Sequence, residues 1–127
     1  GGTMEILIAC NLLLPALLIV AGALMNRRPP RKITALYGYR TERSMKNEDT
    51  WQFANKYSGA LIWKIGWIAL AVAAVLSIAL WRFGKGAMSI VNLLLTTAQC
   101  GVLLAVIPVT ERALKDAFDD EGRRKRQ

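Results

Sequence analysis

Three apolar runs dominate the chain and decide what it can fold into: residues 4–25, 60–81 and 88–109, each 22 residues long. A helix rises about 1.5 Å per residue, so each run reaches roughly 33 Å, enough to cross a hydrocarbon layer of about 30 Å with some tilt. The apolar residues fill whole runs and do not recur on one face, which predicts lipid and not a soluble core as their surroundings. A closed β-barrel would need many short alternating segments, and the sequence has none. The expected fold is therefore all-α: an integral membrane protein of three transmembrane helices. A polar loop over residues 26–59 joins the first two, and a charged tail over residues 110–127 follows the third.

The first run lacks a basic leader and carries Glu5, so it is expected to remain as a span and not to be cleaved as a signal peptide. Gly1-Gly2-Thr3 before Met4 reads as an expression scar.

Charge placement sets the expected orientation. Arg27, Arg28, Arg31, Lys32, Arg40, Arg43, Lys46 and Lys56 lie between the first two spans, and Arg112, Lys115, Arg123, Arg124, Lys125 and Arg126 follow the third. The other side holds only Arg82 and Lys85. By the positive-inside rule the N-terminus is external, while the loop and tail are cytoplasmic. The same asymmetry accounts for most of the net charge of +8, so a nucleic-acid partner is not expected. The basic tail is expected either to brush anionic lipid headgroups or to stand free in solvent.

Small residues suggest how the spans pair, because helices in lipid associate through close backbone approach and polar contacts. Ala69, Ala73 and Ser77 on the second span are expected to face Thr97, Gly101 and Ala105 on the third. Asn11, Thr96 and Gln99 are candidates for buried polar positions, either bonding neighbouring helices or lining a cavity. Lys64 lies one turn inside the second span, placed to snorkel to the interface or to bind an anionic group. Cys10 and Cys100 differ in expected depth by more than a disulfide spans. With no histidine in the chain, no metal site and no cofactor are expected.

The loop is the informative polar segment. Pro29 and Pro30 end the first helix, and Leu36, Tyr37 and Tyr39 surround Gly38, a glycine that permits a tight turn beneath interfacial rings. Asn47 is a favoured N-cap, and Glu48 and Asp49 place negative charge at the positive end of a helix. A helix is therefore expected from about residue 48 to 81. Trp51, Ala54, Tyr57, Ser58 and Leu61 share one of its faces, and Gly59 marks the expected bend. Ahead of it, Arg40, Thr41, Arg43, Ser44 and Asn47 cluster at the helix start. Such donors suit an anion or lipid headgroup. They suit equally an internal lock in which Arg40 bonds helix-end carbonyls and Thr41 and Ser44 cap local backbone.

The stretch YGYRTERSMKNEDTWQFANKYSG, residues 37–59, resembles the SdpI family of small bacterial membrane proteins, through a G-Y-R-T run followed by S-x-x-N and W-x-x-A-N. That family is named for an immunity protein against a peptide toxin. The resemblance implies a three-span unit in the bacterial plasma membrane, with Gly38, Tyr39, Arg40, Thr41, Ser44, Asn47, Trp51 and Asn55 as motif residues; Lys64 is added from the reading above. Family members often carry asparagine where this chain has Thr34, and larger members have a further N-terminal membrane region. The implied function is toxin immunity or signalling without catalysis, with a peptide toxin, a membrane-tethered regulator or a second copy of the chain as candidate partners. The alternative is a lipid- or anion-binding or transport module acting as an oligomer, with Arg40, Lys64 and Gln99 lining one route. An enzyme is not expected, since no histidine is present and carboxylates are confined to ends and loops.

Overall fold

In the computed structural model, residues 2–28 and 39–125 are described. Three long helices account for most of them: α1 (Gly2–Arg27), α2 (Glu48–Leu80) and α3 (Gly84–Ala117). A single 3-10 turn, Trp81–Phe83, joins α2 to α3. The reversal is completed at Gly84, whose φ of 84° lies in the left-handed region that glycine enters without a Cβ clash. No strand forms among the described residues; an isolated bridge pairs Phe118 with Arg124.

The apolar runs become helices because every backbone amide and carbonyl can then be satisfied within its own segment. Gly2–Arg27 and the nearly continuous helical stretch Glu48–Ala117 are long and apolar enough to cross a membrane. Their outward surfaces are apolar. Leu13, Leu17 and Leu24 on α1, Ile68, Val75 and Ile78 on α2, and Leu93, Leu94 and Leu104 on α3 are all exposed. Buried positions, by contrast, include Asn11, Asn55, Ser58, Gln99 and Thr110. Large apolar side chains facing outward along all three helices, with polar Asn11 and Gln99 buried between them, suit a lipid surround.

Helix α2 starts where its capping residues predict and runs without interruption through Gly59, as the single long helix expected. Gly59 serves packing. A Cβ built on it would lie 2.8 Å from the Gly22 carbonyl oxygen, and one on Gly22 would lie 2.7 Å from the Gly59 oxygen and clash with the Trp63 backbone. Gly66 extends the same seam, meeting Ile19 and Pro15 of α1. Small residues let the two backbones touch, so the tightest helix pair is α1 with α2.

The small-residue seam expected between α2 and α3 does not form. Ala69, Ala73 and Ser77 are buried, but Thr97, Gly101 and Ala105 are exposed, and a Cβ at Gly101 would meet open space. Helix α3 instead buries Met88, Val91, Gln99, Val106, Thr110 and Leu114. It is tied to α1 by Asn92 Nδ2, which donates to Asn11 Oδ1 at 2.8 Å. Thr96 is exposed, contrary to its expected burial. Cys10 and Cys100 are free and exposed.

The third helix also continues past residue 109 to Ala117, and residues 118–125 after it form a hydrogen-bonded turn whose basic side chains are exposed. Phe118 is buried; the Asp119 amide donates to the Arg123 carbonyl at 2.7 Å, and the Lys125 amide to the Ala117 carbonyl at 2.9 Å. Pro29, Pro30, Thr34, Leu36, Tyr37 and Gly38 lie outside the described residues.

Candidate functional site

The start of α2 organises the site. Asn47 is extended, its Oδ1 accepts from the Thr50 amide at 2.9 Å, and Thr50 Oγ1 accepts from the Asn47 amide at 3.1 Å. This is a reciprocal capping box with threonine at the position usually held by Glu or Gln. Thr50 Oγ1 also donates to the Ser44 carbonyl at 3.0 Å, which ties the loop to the first turn of the helix.

Upstream, Thr41 and Ser44 form a second reciprocal pair. The Thr41 amide donates to Ser44 Oγ at 2.8 Å and the Ser44 amide to Thr41 Oγ1 at 3.1 Å. Short hydroxyl side chains can satisfy backbone in this way without helix or sheet. Tyr39 then reaches both neighbouring helices. Its amide donates to Asn55 Oδ1 on α2 at 2.9 Å, and its hydroxyl donates to Glu111 Oε2 on α3 at 2.8 Å. The same carboxylate oxygen accepts from Thr41 Oγ1 at 3.0 Å. Asn55 is held in turn by its Nδ2 donating to the Trp51 carbonyl at 2.9 Å. Burial, reinforced by Glu111, keeps the Tyr39 hydroxyl protonated well above the ordinary tyrosine range.

The segment after α3 closes this clasp from outside. Asn47 Nδ2 donates to the Gly122 carbonyl at 2.7 Å, and a Cβ on Gly122, where φ is 85°, would sit 2.6 Å from that nitrogen. Phe118 packs in a cluster with Tyr39, Ala54 and Leu114, and its ring meets Phe53 edge-on at 5.5 Å. Arg43 pairs with Asp120 at 3.8 Å, and Lys46 donates to the Asp120 carbonyl. Asp119 caps its own turn: hydrogen bonds from the Arg123 and Glu121 amides hold its carboxyl below the usual range.

Of the residues singled out from sequence, Tyr39, Thr41, Ser44, Asn47, Trp51 and Asn55 meet in this one clasp, and Trp51 and Asn55 are fully buried. Gly38 lies outside the described residues. Arg40 is exposed, and the loop reaches α3 through Tyr39 and Glu111. Lys64 stands apart, lining a notch between α1 and α2 with Arg27. Gln99 lines a groove of about 220 Å³ between α2 and α3. Arg40, Lys64 and Gln99 thus occupy three separate places in one copy of the chain. Sequence reasoning missed Glu111, Phe118, Asp120 and Gly122. Thr50 was legible as the third residue after an Asn cap, but a carboxylate just past an apolar run reads as a boundary charge. Among the described residues no group of acidic or cysteine side chains is placed to hold a metal ion.

A sequence model of the SdpI/YfhL protein family matches residues 31–110, which takes in the clasp from Tyr39 to Asn55 and most of α3. The chain belongs to the SdpI/YfhL family. It is 33% identical over 106 residues to the uncharacterized protein YfhL of Bacillus subtilis (strain 168), covering 84% of this chain and 86% of that protein. No solved structure matches. Membership agrees with the resemblance in the loop, and the SdpI/YfhL match takes in most of the polar segment, all of α2 and most of α3.

Proposed function

We propose that this SdpI/YfhL protein is a non-enzymatic membrane protein of the immunity kind. It crosses the bacterial plasma membrane three times and protects the cell from a membrane-active peptide or relays that peptide's presence. In this reading α1, α2 and α3 are the three spans. The excess of Lys and Arg at the loop end supports a cytoplasmic clasp and an external N-terminus.

The observation that carries the reading is that the family-matched loop is bonded to α2 through Asn55 and to α3 through Glu111. A segment tied to both helices moves when either moves. A peptide that presses on the exposed apolar faces within the bilayer would therefore alter the clasp at the cytoplasmic end, through a chain of packed and hydrogen-bonded groups. The groups present bind and brace. Glu111 accepts two hydrogen bonds from Tyr39 and Thr41, which gives it a structural role instead of a place as a free base.

The test is survival of a toxin-sensitive host that expresses wild type, a Tyr39→Phe/Glu111→Gln variant, or an empty vector, with membrane levels matched by immunoblot. Protection by wild type that the variant loses is the expected result. Equal survival in all three arms rejects the immunity reading.

A further inference from the structure

Where Gly22 and Gly59 bring α1 and α2 into backbone contact, a notch of about 230 Å³ opens beside them, lined by Ala23, Asn26, Arg27, Ala60, Trp63 and Lys64. Two cations from different helices share it, and among the described residues no carboxylate lines it. Neither Arg27 nor Lys64 is in an ion pair among the described residues, and residues 29–38 contain no Asp or Glu. Arg27 has one internal use, since it sits in the last turn of α1 and offsets that end of the helix dipole. Lys64 has none, because it lies far from both ends of α2 and at the edge of an apolar span. With two cations lining one notch, an anion seated there is attracted by both.

The remaining lining narrows the class of anion. Ala23 and Ala60 are small and apolar. Trp63 is 40% exposed and its ring meets Trp67 edge-on at 6.2 Å, the kind of aromatic pair that settles at headgroup depth. Asn26 is held in place by donating to the Lys56 carbonyl at 2.9 Å. A guanidinium fork beside an ammonium suits a tetrahedral phosphate.

We propose that the Arg27–Lys64 notch is a phosphate-binding site, filled by the phosphodiester of an anionic lipid or by free phosphate. The proposal does not depend on the immunity reading.

The test is native mass spectrometry of the full chain in detergent, titrated with dimyristoyl phosphatidylglycerol or with dimyristoyl phosphatidylcholine. Wild type should retain one phosphatidylglycerol in preference to phosphatidylcholine. Arg27→Gln/Lys64→Gln should weaken that retention about twenty-fivefold, from about fivefold per basic side chain near an anionic headgroup. Arg27→Lys/Lys64→Arg should keep it. Arg112→Gln/Lys115→Gln removes the same charge from exposed positions on α3 and should leave retention unchanged. A parallel arm adds millimolar inorganic phosphate: displacement of the lipid identifies free phosphate as a ligand, and failure to displace it identifies the lipid. No preference for phosphatidylglycerol in wild type, or equal losses in the two glutamine pairs, overturns the site. All four side chains are exposed, and unchanged helicity by circular dichroism confirms that the variants are folded.

Discussion

The Tyr39 hydroxyl donates to Glu111 Oε2 at 2.8 Å across 72 residues of sequence, and this bond joins the loop to the far end of α3. A partly buried hydrogen bond to a carboxylate contributes about 1.5–3 kcal/mol, more than a neutral pair. Because Thr41 shares the same oxygen, the carboxylate keeps one partner when Tyr39 is lost.

Tyr39→Phe and Glu111→Gln are each expected to destabilise the folded protein in detergent by about 1–2 kcal/mol, with a coupling of about 1 kcal/mol in the double variant. Thermal unfolding followed at 222 nm measures the cycle. Strict additivity would mean the two side chains do not interact.

Alkaline pH should act through the same bond. Tyr39 ionises at higher pH in the folded protein than in the unfolded chain, where tyrosine titrates near about pH 10. Above that value the unfolded state loses a proton the folded state keeps, so the stabilisation present below about pH 10 declines as pH rises further. Wild type should therefore lose stability between pH 10 and 11 more steeply than Tyr39→Phe. Parallel curves for the two would remove Tyr39 as the titrating group.

Gly22 and Gly101 make a contrasting pair. Gly22→Ala forces α1 away from the Gly59 and Trp63 backbone and should cost about 1–3 kcal/mol, whereas Gly101→Ala enters open space and should be neutral or mildly stabilising. Unfolding midpoints of both variants decide it, and a large loss at Gly101 would restore the α2–α3 seam that the small-residue pattern suggested.

Asn47→Asp separates the two duties of one side chain. The aspartate keeps an oxygen for the Thr50 amide but loses the nitrogen that donates to Gly122. Helix α2 should begin unchanged while the Asp119–Gly122 turn loosens. Faster trypsin cleavage at Arg123 and Arg124, with helical content constant, is the expected readout. Asn47→Ala should in addition cost about 1 kcal/mol through the lost cap.

What the residues alone determined was short-range. Run length and unbroken apolarity specify long helices because backbone polar groups in lipid must be satisfied within each segment. Asn47 followed by two acidic residues specifies where α2 starts because capping acts within one turn. The tertiary structure alone decided which faces meet. Ala69, Ala73 and Ser77 advertise a surface that can be approached, but small side chains carry no partner's address, and α1 took the close contact through Gly22, Gly59 and Gly66. Likewise Glu111, Phe118 and Gly122 look in isolation like a boundary charge, a stray ring and a flexible glycine. Only the return of α3 to the loop end brings them against Tyr39, Phe53 and Asn47, because contacts this distant in sequence depend on the path of the chain and not on its local preferences.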